Sequence, residues 1–111
     1  MRVEKLQIDA VLVDLAGVDY LDLWAVARVL DREFGAALDD DPEEVALEAI
    51  ERLVRDGTLR AGDLVPPGEF EPWDRDAEES IRVIRQRAAR REGAVGVGEV
   101  GWFSLAEHAL A

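Results

Sequence analysis

The segment 41–57 carries the most constraining pattern in the sequence, because both ends of a helix are marked in it. Asp41 is suited to cap the helix, Pro42 to fill its first position, and Glu44 to complete a capping box. Gly57 marks the C-terminal end. Between these ends, apolar residues recur at the spacing of one helical face, at Ala46, Ala49, Ile50, Leu53 and Val54. The pattern predicts a helix over residues 42–56.

Three other segments show helical periodicity, and they predict helices near residues 4–16, 22–35 and 76–92. Gly17 ends the first, Asp22 is suited to cap the second, and Asp76 with Glu79 forms a second capping box. A strand over Gln7–Leu15 is the weaker alternative for the first segment, because residues 11–13 are continuously apolar.

The remaining segments predict strands near residues 58–65, 69–73 and 100–105. Pro66-Pro67-Gly68 predicts the turn between the first two, with proline at i+1 and glycine at i+2 of a type II turn. The connector 18–21 is the place for one further short strand. We therefore predict one α+β domain over residues 1–111. Its expected core is Leu12, Leu15, Leu23, Ala27, Leu30, Ile50, Leu53, Leu59, Ile84 and Phe103.

The order of helix, connector, helix, helix and hairpin over residues 4–73 resembles the winged helix-turn-helix superfamily. Residues 19–24 resemble the entry to its second helix, and residues 48–59 resemble its third helix running into the wing. The resemblance implies a three-helix unit with a β-hairpin wing, here followed by a fourth helix and a closing strand. Residues 70–74 and 98–103 also resemble a bacterial protein family that implies no function.

The charge distribution argues against a nucleic-acid partner. The net charge is −12, and residues 1–74 contain 7 basic and 19 acidic side chains, whereas residues 75–111 contain 6 of each. Such a surface repels nucleic acid and anionic membrane and attracts basic protein faces. No apolar run is long enough for a membrane span, and there is no cysteine for disulfides or thiolate metal sites. We expect a cytoplasmic protein, and the bias toward residues with GC-rich codons is typical of a bacterial genome.

The third helix supplies the first candidate site for a protein partner. Its exposed face carries Glu44, Glu48, Glu51 and Arg55, with Arg52 at the margin. A DNA-reading helix carries Arg, Lys, Asn or Gln there, so these carboxylates are candidate partner-binding residues instead. The alternative is a solvated face held by pairs of Glu48 with Arg52 and Glu51 with Arg55. The tryptophans, at positions 24, 73 and 102, are more often anchors of the core or its rim than platforms for a ligand. Phe70 and Trp73, next to prolines on the hairpin, are the most plausible exposed aromatic residues, and if exposed they complete the candidate surface.

The fourth helix supplies the alternative site. Its basic residues are Arg82, Arg85, Arg87, Arg90 and Arg91, of which Arg82, Arg87, Arg90 and Arg91 are the candidate nucleic-acid contacts. At 100° per residue these side chains spread around the helix and do not form one stripe. The acidic first turn and basic last turn also complement the helix dipole, which is a structural reason for the same residues.

No pattern indicates catalysis, a cofactor or a metal. The acidic run 39–44 lacks the ligand spacing and central glycine of a calcium loop. His108 is the single histidine, and no partner for a catalytic triad or a His-based metal site is evident. Gly96-Val97-Gly98 lacks the lysine of a phosphate loop. An enzyme, with a small hydrolase as the version considered, is therefore the third choice.

These observations favour a non-enzymatic, winged-helix-type module that binds another protein or its own copy. An acidic inhibitor or immunity-like protein facing a basic partner is one concrete version. A DNA-binding transcriptional regulator that uses the Arg-rich fourth helix is the alternative.

Overall fold

The computed structural model of the chain describes residues 3–66, 68–90, 96 and 98–109, and its architecture is α+β. Over these residues the elements are α1 (Lys5–Ala16), α2 (Leu23–Phe34), α3 (Pro42–Arg55), β1 (Leu59–Val65), β2 (Glu69–Pro72), α4 (Ala77–Arg90), β3 (Trp102–Leu105) and the short α5 (Ala106–Ala109). A single 3-10 turn, Gly35–Ala37, follows α2. The predicted helices and strands are all present, which confirms the α+β class. In the described part of the chain, no helix has the length and apolar character that crossing a membrane requires.

Aspartate side chains cap three of the helices, where the first backbone N–H groups lack helical partners. Each cap accepts a hydrogen bond of 2.8–3.2 Å from a backbone N–H two or three residues further on, and the caps are Asp22, Asp41 and Asp76. The expected capping box at Asp41 is not completed, because the Glu44 side chain turns away to Arg85, 3.1 Å distant. The tertiary ion pair therefore replaces the local one.

The sheet has three antiparallel strands in the order β2-β1-β3, so β1 is central. The strand β1 is shared along its length, since residues 59–62 pair with β3 and residues 62–65 pair with β2. The connector before α2 adds one bridge to the outer side of β3. Leu21 and Phe103 exchange two backbone hydrogen bonds of 2.8 Å there, so the connector forms a single bridge in place of the short strand expected in it.

Gly62 lies at the point where both pairings of β1 meet. A Cβ atom at this position would stand 2.7 Å from Cζ of Phe70 and would collide with the carbonyl oxygen of Glu71. Glycine is therefore required here by the close approach of β2, and its φ angle is not the reason.

The hairpin turn differs in detail from the expected one. The backbone N–H of Gly68 donates to the carbonyl of Val65 at 2.6 Å, so the turn begins at Val65 and Gly68 stands at i+3, not at i+2. Pro66 therefore occupies i+1, where the expected turn had Pro67. The positive φ of Gly68, 112°, shows why glycine ends this turn.

The core lies between the helices and the inner face of the sheet. Its largest fully buried side chains are Phe103, Leu12, Leu23, Leu30, Ile50, Ile84, Val26 and Val100. Every expected core residue except Leu15 is buried. Leu15 is only half-buried, because the buried stripe of α1 runs along Ile8, Leu12 and Ala16 and leaves Leu15 at its margin.

Candidate functional site

The charged face of α3 is held by ion pairs to the two helices that flank it. On one side, Arg52 Nη2 lies 2.6 Å from Oδ1 of Asp9 in α1. On the other side, Arg55 Nε donates to Glu78 of α4 at 2.8 Å. The expected pairs of Glu48 with Arg52 and Glu51 with Arg55 are therefore not the principal ion pairs of α3. The two arginines instead bind carboxylates of the neighbouring helices α1 and α4.

Arg85 of α4 joins the same face between two carboxylates of α3. Its Nη1 lies 3.1 Å from Oε1 of Glu44, and its Nε contacts Oε1 of Glu51. The Glu51 side chain is only 14% exposed, so its charge depends on this contact. Burial alone would lower the pKa of Arg85, but the Glu51 and Glu44 carboxylates, which accept from its guanidinium, outweigh burial and raise the pKa above the usual arginine value. Arg85 is therefore a fixed cation of the α3–α4 interface.

Arg87 is also directed at the protein. Its guanidinium lies 4.9 Å from the ring centroid of Trp73, and Nη1 lies 3.9 Å from Oδ1 of Asp63. The indole N–H of Trp73 donates to Oδ2 of Asp63 at 2.9 Å. These contacts join α4 to the hairpin.

Trp73 is consequently buried, with 8% of its surface exposed, and the expectation that it is an exposed aromatic residue is wrong. Its ring is enclosed by Arg87 on one side and by the turn at Gly101 on another, where a Cβ would stand 2.9 Å from the indole. Phe70 is half-buried and stacks on Tyr20 with ring centroids 5.3 Å apart. Neither predicted aromatic residue stands free on the surface.

The predicted candidate residues do not form one surface. Glu44 and Glu51 are bound to Arg85, while Glu48 is exposed and has no ion pair among the described residues. Phe70 and Trp73 lie on the hairpin and are engaged separately. A partner contacting α3 would meet chiefly Glu48 and the outer edges of ion pairs.

The alternative arginine set is similarly divided. Arg87 is engaged with Trp73, Arg82 and Arg90 are exposed, and Arg91 lies outside the described residues. The exposed face of α4 also carries Glu78 and Glu79. In the described part of α4, its outward charge is therefore balanced, with two arginines and two glutamates.

An aromatic groove that the sequence analysis did not single out lies between α2 and the beginning of α3. Its volume is about 370 Å³, and it is lined by Trp24, Ala27, Arg28, Asp31, Asp41, Pro42 and Glu43. Trp24 is 38% exposed, and the Arg28 guanidinium lies 5.0 Å from its ring centroid. The signal was present, since residues 24, 28 and 31 share one side of α2 beside the buried stripe.

No cluster of three or more His, Asp or Glu side chains is placed to hold a metal ion within the described residues. The side chain of His108 lies outside the described residues. A second depression of about 210 Å³ between α1 and α3 is lined by residues that include Ile8, Glu48 and Arg52.

No family model, no curated protein sequence and no solved structure matches the chain.

Proposed function

We propose that this chain is a non-enzymatic binding module of winged-helix type, and that its partner is a basic protein surface. The observation that carries the proposal is the ion pairing of α3. In the winged-helix interpretation α3 would be the helix offered to DNA, yet its two arginines are neutralised by Asp9 and Glu78, and its glutamates hold Arg85. A helix engaged in this way offers phosphates no free cation.

The charge left on the surface supports the choice of a basic partner. Residues 1–74 carry an excess of carboxylates, and several of them on different elements are exposed and have no ion pair within the described part of the chain, namely Asp14, Glu33, Glu48 and Glu71. Complementary charge accelerates the encounter with a cationic protein and disfavours nucleic acid. An inhibitor that covers a basic face of its target is the concrete version of this function.

Capture from the native host tests the proposal. The chain is immobilised, incubated with nuclease-treated extract and eluted with rising salt. We expect a stoichiometric partner with a basic isoelectric point that is released as salt screens the contacts. A variant that combines Asp14→Asn, Glu33→Gln, Glu48→Gln and Glu71→Gln removes four exposed charges and leaves every ion pair between described residues in place. The partner should leave this variant at lower salt.

Two results would overturn the proposal. One is capture that nuclease abolishes, which would indicate nucleic acid. The other is sedimentation of the chain as a homodimer combined with no retained partner, which would indicate self-association in place of a basic partner.

A further inference from the structure

The groove between α2 and α3 is lined by both apolar and acidic side chains. Ala27 and Pro42 lie with the Trp24 indole at its apolar surface, and the carboxylates of Asp31, Asp41 and Glu43 line it as well. Arg28 is its single lining cation, so carboxylates outnumber cations by three to one. The groove is therefore complementary to a positively charged side chain that also carries an apolar stem.

Trp24 differs from Trp73 in how its ring is used. Trp73 is enclosed and donates its indole N–H to Asp63, whereas Trp24 is 38% exposed. Tryptophan side chains at the centre of protein interfaces contribute a large share of the binding energy when a partner covers them. The exposed ring therefore has a physical use beyond the packing of α2.

Arg28 shows which ligand chemistry the ring accepts. Its guanidinium lies 5.0 Å from the Trp24 centroid, the distance of a cation–π contact. Because Arg28 is itself exposed, another guanidinium can take its place over the ring. The nearby carboxylates would pair with such a group in a fork-like geometry that suits arginine better than lysine.

We propose that this groove binds an arginine side chain of the basic partner, which replaces Arg28 over Trp24 and pairs with Asp31. The inference rests on the proposed function, since it names the place where the basic partner is held. The partner segment is thus an exposed, arginine-containing stretch of another protein. Asp41 adds a negative charge to the lining of the groove, and its side chain also caps α3.

The probe is a blocked peptide of alternating arginine and glycine, and its matched control has citrulline, a neutral isostere, in place of each arginine. Titration into isotope-labelled protein is followed by NMR through the Trp24 indole N–H. We expect this resonance to move saturably with the arginine peptide and to stay in place with the citrulline peptide. Trp24→Ala lacks this reporter, so its titration is followed through the backbone N–H resonances of Ala27 and Asp31. The substitution should weaken the affinity about fivefold or more, given the usual strength of such contacts.

Two further variants separate binding from general charge. Asp31→Asn should weaken the peptide about two- to fivefold, whereas Glu33→Gln, on the same helix and with the same charge change, should leave it unchanged within about twofold. Arg28→Gln should tighten binding, because it removes the competing cation. A purely structural role of Arg28 would not produce this gain.

The groove assignment is overturned if the Trp24 resonance stays in place, whether the peptide moves other resonances or none. It is also overturned if Arg28→Gln weakens binding. The capture experiment distinguishes the groove assignment from the proposed function. A basic partner that the Trp24→Ala variant retains equally well would overturn the groove assignment and leave the proposed function standing. Circular dichroism of each variant verifies that it is folded.

Discussion

Gly62 is the residue at which the sheet has least room. We expect Gly62→Ala to lower the free energy of unfolding by about 1–3 kcal/mol, because the new methyl group would collide with the Phe70 ring and the Glu71 carbonyl. Chemical denaturation measures the change. Gly17→Ala is the matched control, since a Cβ there meets nothing closer than 3.4 Å and its φ of −70° suits alanine. Equal effects of the two substitutions would contradict the steric argument.

Leu53 gives the corresponding prediction for the core. Its side chain is 4% exposed on the buried face of α3, so Leu53→Ala should cost roughly 2–5 kcal/mol. The melting temperature and denaturation midpoint report the loss. Val18→Ala, at a position 89% exposed, serves as the control and should change stability little. An unchanged midpoint for the Leu53 variant would show that the site repacks.

The burial of single residues was predicted correctly at some positions and not at others. Periodicity correctly placed Leu53 and Leu12 in the core, because helical spacing determines which side faces inward. Trp73 was placed on the surface because prolines flank it on the hairpin, but its burial depends on Arg87 and Gly101, which approach from distant parts of the chain. Trp24 was not singled out because its groove is completed by residues 41–43 of another helix.

Among the elements, the contact between α3 and α4 gives the sharpest test. Arg85→Met should destabilise the fold by about 1–2 kcal/mol, because it leaves the mostly buried carboxylate of Glu51 without its partner. The expected loss of stability is modest because the Arg85 side chain is 40% exposed and solvent screens its charge. Arg82→Met, an exposed arginine of the same helix, is the control and should have little effect. Thermal unfolding of both variants measures the difference.

The second contact between these helices predicts a pH effect. The hydrogen bond from Arg55 holds the pKa of Glu78 below its usual value. A carboxyl group whose pKa is lower in the folded state stabilises the fold above its unfolded-state pKa, and this contribution is lost as the pH falls through the folded-state pKa. In Arg55→Gln the pKa of Glu78 should rise toward the usual value of about 4.3, as measured by NMR titration. Arg32→Gln, on α2, should leave it unchanged.

The elements were predicted from local signals, and their mutual contacts were not. Caps such as Asp22 and Asp76 are recognisable because the helix end that they satisfy is adjacent in sequence. Ion pairs are different, since spacing favoured Glu48 with Arg52 while the folded chain brought Asp9 to Arg52. A partner 43 residues away leaves no trace in a single sequence.

At the scale of the molecule, the charge distribution predicts the response to DNA. We expect no mobility shift of a mixed-sequence duplex at about 0.15 M salt, because acidic side chains dominate residues 1–74 and the exposed face of α4 is balanced. Tight binding that Arg82→Glu with Arg90→Glu abolishes would instead support the regulator alternative. Glu79→Arg is the informative companion, since it adds a cation to the same face.

The architecture as a whole was predictable to the level of its class. The order of helices and strands followed from periodicity and turn residues. The pairing of β1 with both β2 and β3 did not, because no local feature of the sequence indicates that two strands meet at Gly62. For the candidate surface, only the sign of its charge was predicted. Its shape depends on how α2, α3 and α4 pack, which a single sequence does not specify.

The bridge between Leu21 and Phe103 has a consequence for how the chain folds. It joins residues near opposite ends of the described chain, and closing so long a loop costs entropy before any contact compensates. We expect the β1–β2 hairpin to form first and β3 to join later. Until then residues 59–62 present an unpaired strand edge, to which a second molecule can add a strand. Refolding yield should therefore fall as protein concentration rises.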